Sequence, residues 1–275
     1  MQSNNPVFAR SAGFNGKGGT AYADFGAGLP STHVEAGTGR MTIDTVVQKT
    51  GVTLGVLVLA AAATWILTGN PITTDSFGQT VLDPGKAQTL YTLSIVGALG
   101  GFVLAMVNSF KRVVSPALVV GYAALEGVFI GAISKSFQLE FGQGVITGAV
   151  LGTVAAFAGT LAAYKFFNIQ VTAKFRTWVI GAMFGFVAVS LLDFVLSLFH
   201  SSFGFNGLGP MGLLSSVVGL GLGVLMLILD FDFVERGIAA GLPERESWRA
   251  AFGLTVTIVW IYIELLRILS IFTRR

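Results

Sequence analysis

Seven apolar runs, each close to the length that crosses a bilayer, dominate this chain. They lie near residues 50–68, 89–110, 116–135, 144–164, 177–199, 211–234 and 251–272. About 20 apolar residues span the hydrocarbon layer, and such a segment must be helical because no water is there to satisfy an open backbone. The runs predict an all-α integral membrane protein with seven transmembrane helices. Composition agrees: 53% of the 275 residues are hydrophobic and 11% are charged, where a soluble domain carries about 25% charged residues.

Several kinds of chemistry are excluded at once. The chain has no cysteine, which removes disulfides, thiolate catalysis and zinc–cysteine sites. Its two histidines, His33 and His200, cannot build a histidine-rich metal site. The net charge of +3 is too small to suggest a nucleic-acid partner, and what informs is its distribution.

Residues 1–40 are rich in Gly, Ser, Asn and Ala and lack a helical period, so they read as a disordered tail. No early apolar core follows a basic start, as a secretory signal would require. Residues 41–275 then form the membrane domain. Within 41–49 apolar residues recur at helical spacing, and Thr42 can cap a short interfacial helix ahead of the first span.

Orientation follows from Lys and Arg. The tail and first turn carry Arg10, Lys17, Arg40 and Lys49. Alternate loops carry Lys111 and Arg112, then Lys165, Lys174 and Arg176, then Arg236, Arg245 and Arg249. The remaining loops hold only Lys86 and Lys135, beside Asp75, Asp83 and Glu140. The amino terminus and the basic loops are therefore expected in the cytoplasm. Arg274 and Arg275 oppose this arrangement, since seven spans put them outside; either they are outvoted or the last run is re-entrant. Seven full spans are the expectation.

Glycines recur four residues apart at Gly51/Gly55, Gly127/Gly131, Gly144/Gly148/Gly152, Gly181/Gly185 and Gly219/Gly223. That spacing lets helix backbones approach closely, and helix packing is the role expected for nearly all of them.

Five acids interrupt the apolar runs: Glu126, Asp193, Asp230, Asp232 and Glu264. A charge inside a membrane is costly and normally faces the bundle interior with a partner. Asp230 and Asp232 are two residues apart, so on a helix they point about 200° away from one another. Asp230 is expected to face inward and Asp232 to support it or face the headgroups. Glu235 and Arg236 read as ordinary interfacial charges. Asp230 lies about 10 Å deep and Glu264 about 18 Å, a gap of roughly 8 Å that tilt can close. If the two carboxylates meet, they cannot easily both ionise and share a proton. Such a pair can sense pH, bind Ca²⁺ through its oxygens, or do both. The competing reading is two acids solvated by a vestibule open to the cytoplasm.

These stretches carry a family resemblance. Leu229-Asp230-Phe231-Asp232-Phe233-Val234, Ile261-Tyr262-Ile263-Glu264-Leu265-Leu266-Arg267 and Leu125-Glu126-Gly127-Val128-Phe129-Ile130-Gly131 resemble spans 6, 7 and 3 of the transmembrane Bax inhibitor motif family. The likeness is to its bacterial branch, which includes YccA-like proteins. Asn5-Pro6-Val7-Phe8 and Met41-Thr42-Ile43-Asp44 are similar to an actinobacterial subgroup. The resemblance implies a last helix central in the bundle. It also implies a pH-sensitive calcium leak in the bacterial cytoplasmic membrane, with Asp230 and Glu264 as the pH-sensing, ion-binding pair and no tightly bound cofactor. Some relatives latch the span 6 acid with an intramembrane arginine, for which Arg112 is the nearest candidate in chain order. The family's second acid is Asp where this chain has Glu264, and the loop 235–250 is longer here.

The alternative is a non-conducting regulator that binds a membrane protease or a stress-response partner through its tail and long loop. An enzyme is not expected. An intramembrane aspartyl protease would set its glycines beside the acid, whereas Gly219-Leu220-Gly221-Leu222-Gly223 ends seven residues before Asp230. A serine mechanism lacks a base near a nucleophile, and a zinc hydrolase lacks ligands.

Overall fold

The computed structural model describes residues 39–274 apart from 75, 76 and 78; the expected tail, except its last two residues, lies outside them. Seven long helices follow in order: α1 (Ile43–Leu67), α2 (Pro84–Phe110), α3 (Pro116–Phe141), α4 (Gln143–Phe166), α5 (Ala173–Leu198), α6 (Pro210–Ala239) and α7 (Glu246–Thr273). All seven are long and apolar enough to cross a membrane. Between α1 and α2 a short antiparallel hairpin, β1 (Ile72–Thr74) with β2 (Thr80–Leu82), was not expected from the sequence.

Polar caps start three of the helices ahead of their apolar runs. Thr42 accepts from the Thr45 amide in a capping box, Asp83 accepts from the Gly85 and Lys86 amides, and Thr172 accepts from the Phe175 amide. Each satisfies backbone donors that a helix start otherwise leaves free. Two expectations about helix starts change. The interfacial helix at 41–49 and the first span are one continuous helix. Most of the polar stretch Glu244-Arg245-Glu246-Ser247-Trp248-Arg249 is not loop; from Glu246 it is the first turn of α7.

Helix α7 has 28 residues, a length of about 42 Å, so it crosses fully and is not re-entrant. Its end confirms the parity: the Arg274 guanidinium bonds Glu140 at 2.9 Å, beside the α3–α4 connection. At the other face the Arg249 guanidinium reaches the Arg112 carbonyl at 2.8 Å, after α2. We call the face holding Arg112, Arg176 and Arg249 the basic face, and its opposite the far face.

Helix α7 is the most buried of the seven. It packs on α1, α3, α4 and α6, and the Trp260 ring meets Phe186 of α5 at 5.5 Å. Helix α2 lies against α3, so the central position of α7 holds while its ring is not closed by all six neighbours. Exposed Leu, Val and Phe side chains on α2, α4 and α5 suit contact with lipid.

Only part of the glycine spacing serves helix contact. A Cβ at Gly127 would overlap the Leu57 carbonyl, and one at Gly131 would lie 2.5 Å from the Ala61 carbonyl, so these two seat α1 on α3. Gly148, Gly152, Gly219 and Gly223 likewise meet α7 side chains. Gly51, Gly55, Gly144, Gly181 and Gly185 have nothing within 4 Å of a built Cβ, and the packing role does not extend to them.

A polar anchor holds the far end of α1. The Lys135 ammonium donates to the carbonyls of Trp65 (2.6 Å) and Gly69 and to the Thr68 hydroxyl (3.0 Å). It caps the negative end of the α1 dipole, where the sequence offered only an outer-loop charge.

A substitution pair tests this packing. Gly131→Val should lower stability by about 1–3 kcal/mol or more, because rigid backbone occupies the space. Gly181→Ala should be neutral or slightly stabilising, since Ala is the better helix former by up to about 1 kcal/mol. Thermal unfolding in detergent measures both; equal losses would refute the assignment.

Candidate functional site

The acids of α6 and α7 each find a partner, and the partners differ. Asp230 faces α7: its Oδ2 accepts from the Thr257 hydroxyl at 2.6 Å, and its Oδ1 lies 3.3 Å from where a Cβ on Gly253 would stand. Glycine at 253 thus leaves room for the carboxylate. Glu264 is 3% exposed. Its Oε2 accepts from the Arg267 guanidinium at 3.1 Å, and its Oε1 would lie 2.7 Å from a Cβ on Gly219 of α6. Trp260 fixes the same level of the seam by donating from Nε1 to the Gly219 carbonyl at 2.9 Å.

The expected contact between Asp230 and Glu264 is therefore absent. Thr257 and Glu264 are seven residues apart on α7, about 10 Å, and Gly219 and Asp230 are eleven apart on α6, about 16 Å. Rotation about each helix turns both acids toward the seam, but axial register holds them at different levels. Leu227 and Ile261, each 0% exposed, occupy the levels between. Both belong to one buried cluster with Phe231 and Leu254. Two carboxylates at opposite ends of an apolar layer replace the proton-sharing pair.

This separation also bears on Ca²⁺. The ion takes six to eight oxygen ligands, whereas Asp230 and Thr257 bring together two side chains and Glu264 is engaged by Arg267. Among the described residues no three of His, Cys, Asp or Glu converge. Asp230 and Glu264 do not fit a shared resident Ca²⁺ in this conformation.

Asp232 differs from its expected role. It is 5% exposed and is clamped by Arg176 of α5 at 2.7 Å and Arg236 at 2.9 Å. Arg236 also donates to the Val171 carbonyl at 2.5 Å. Asp232 neither supports Asp230 nor faces headgroups; it ties the start of α5 to α6, and Arg236 is part of that tie. The helical split between the two acids is as expected, with Asp230 turned to α7 and Asp232 to α5. Glu235, by contrast, accepts from the Tyr164 hydroxyl at 2.5 Å, a bond between α4 and α6.

Asp193 is a loop anchor. Its carboxylate accepts from the amides of Phe203 (2.9 Å), Gly204 (3.2 Å) and Asn206 (2.8 Å). That loop reaches the candidate site, because Arg267 donates to the Phe205 carbonyl at 2.9 Å. Asp193, the 203–207 loop, Arg267 and Glu264 thus form one connected network on the far face. Glu126 lies elsewhere, its carboxylate against Gly101 of α2. Arg112 offers its carbonyl to Arg249 and latches no α6 acid; the arginines that do are Arg176 and Arg236.

Sequence reasoning passed over Arg267, although it stands three residues after Glu264 in an apolar run. An acid and a base at i,i+3 share a helix face, and that signal was available. Thr257 and Arg176 carry no comparable local signal.

Comparison with known proteins adds a family. A family model described as Bax inhibitor 1 like matches residues 5–274. An uncharacterized protein of Chlamydia muridarum (strain MoPn / Nigg) is 27% identical over 158 residues, which cover 56% of this chain. The chain spans 63% of that relative's length.

Arg267→Met at neutral pH leaves Glu264 buried without its cation and should cost about 3–5 kcal/mol. Adding Glu264→Gln should recover a large share, because the stranded charge is removed with its partner. Thermal unfolding of the single and double variants checks this, and strictly additive losses would contradict the pairing.

Proposed function

Since the chain belongs to the Bax inhibitor 1 like family, we propose that it is a pH-sensitive cation leak, chiefly for Ca²⁺, and not an enzyme. We place it in the bacterial cytoplasmic membrane with its amino terminus and basic face in the cytoplasm, in keeping with the excess of Lys and Arg there. The observation that carries the reading is the α6–α7 seam: a carboxylate at each end of a buried apolar layer, one of them in an ion pair that a proton can break.

The mechanism follows from those contacts. With Glu264 ionised, its ion pair with Arg267 holds the 203–207 loop down, and Leu227 and Ile261 exclude water. A proton on Glu264 removes the negative member of a buried pair and leaves Arg267 with a charge in a poor solvent. Moving Arg267 toward water frees the loop. The seam is then free to part where Gly219 and Gly223 bring α6 against α7. Water entering the layer connects Glu264 to Asp230, whose carboxylate attracts the cation. Ca²⁺ is cargo here and has no resident site. The two acids act in sequence along the path, not as one proton-sharing pair.

Protein in liposomes with an entrapped Ca²⁺ indicator tests this. Flux should rise as pH falls. Glu264→Gln, which mimics the protonated acid, should leak at neutral pH and respond little to acid. Asp230→Asn should cut flux by roughly tenfold or more, the scale on which a charged cleft raises local cation concentration. No flux at any pH would sink the leak and favour the non-conducting regulator that binds a membrane protease or stress-response partner.

A further inference from the structure

The segment entering α1 is fastened to the connection between α6 and α7, and we propose that this strap restrains the opening of the α6–α7 seam. The fastening begins in the backbone. The Met41 amide donates to the Leu242 carbonyl at 2.7 Å, and the Glu244 amide donates to the Gly39 carbonyl at 2.8 Å. Between them Arg40 and Pro243 face one another in an antiparallel bridge.

Side chains reinforce it from the first two turns of α1. The Lys49 ammonium pairs with the Glu244 carboxylate at 2.7 Å and donates to the Glu244 carbonyl at 3.1 Å. It also stands 5.8 Å from the centre of the Trp248 ring. Thr45 and Ser247 share a hydrogen bond of 2.8 Å between their hydroxyls. An ion pair in which Lys49 is largely buried is screened less than one at the surface.

The strap reaches the barrier through Met41. This side chain is 2% exposed and fills the space beside Gly237, where a Cβ would stand 2.9 Å from its sulfur. Met41 belongs to the same buried cluster as Leu227, Phe231, Leu254 and Ile261, which includes the residues that separate Asp230 from Glu264. For a path that opens at Gly219 and Gly223 to continue past Asp230 to the basic face, the last turns of α6 and the first turns of α7 must also move apart. Their connection is held to α1, and α1 is packed on α3 and α7. The strap therefore opposes that movement from the basic face, at the end opposite Arg267. A force or a partner acting on the chain ahead of residue 39 would pull directly on it.

The inference rests on the leak reading for what opening achieves, so its test has a readout that does not depend on flux. The native chain lacks cysteine, and facing residues of an antiparallel bridge have Cα atoms about 4.5–5.5 Å apart, within disulfide reach. The full chain with Arg40→Cys and Pro243→Cys can thus be locked by oxidation and released by reductant. A second variant, Met41→Ala with Glu244→Gln, weakens the strap. Hydrogen exchange across 220–238 and 246–262 in lipid nanodiscs and Ca²⁺ flux in liposomes are measured on each.

The weakened strap should raise exchange at least about fivefold, the low end of a typical coupling between sites, and raise flux at neutral pH. The oxidised pair should lower both, with reductant restoring them. Unchanged exchange in both variants would overturn the proposal whatever the flux does. So would exchange that moves as expected while a flux present in the unaltered protein does not follow. If exchange moves as expected and no protein conducts, the strap stands and the leak reading fails.

Discussion

A charge in hydrocarbon must have a partner, and much of this bundle is arranged by where its few charges find theirs. Glu264 is matched by Arg267, Asp232 by Arg176 and Arg236, and Lys135 by the carbonyls at the end of α1. Arg176 ties α5 to α6 through Asp232, Lys135 ties α3 to the end of α1, and Arg267, paired with Glu264 on its own helix, ties α7 to the 203–207 loop. Leucine against leucine is no better than leucine against lipid, so the specific geometry of a membrane bundle depends on small-residue contact and on polar ties such as these.

The same ties give the α6–α7 seam two ends of different character. At the far face, Glu264 and Arg267 connect the helix core to the 203–207 loop that Asp193 organises. At the basic face, the Asp232 clamp and the strap from residues 39–49 hold the start of α5 and the α6–α7 connection. Between Glu264 and Asp230, Leu227 and Ile261 are fully buried. Breaking a buried pair by removing one member strands the other charge, at about 3–5 kcal/mol. A single proton on Glu264 can therefore carry enough free energy to shift the balance between a closed and a parted seam.

The seven spans were legible because their length and apolarity are local properties. Helix ends were less so: Thr42, Asp83 and Thr172 extend helices beyond the hydrocarbon, and the run from Thr50 proved to be a helix beginning at Ile43. The opposed facing of Asp230 and Asp232 was legible from helical rotation. Contact between Asp230 and Glu264 was not, because rotation follows from sequence spacing while axial register follows from packing. Trp260 on the Gly219 carbonyl and Asp230 on Thr257 set that register, and both are contacts between distant residues. The i,i+3 pair of Glu264 and Arg267 was within reach of sequence reasoning. The Asp232–Arg176 pair, which joins separate helices, was not.

The buried apolar layer between the two acids is the barrier in the proposed leak, and a chain without native cysteine lets that layer be probed one thiol at a time. Leu227→Cys and Ile261→Cys, each alone in a membrane-reconstituted protein, would be exposed to a water-soluble, membrane-impermeant thiol reagent at neutral and at acidic pH. Both thiols should be shielded from either side at neutral pH and become reactive over the same pH range in which Ca²⁺ flux rises. Rapid labelling at neutral pH, or an acid-driven flux with both thiols still shielded, would contradict this barrier.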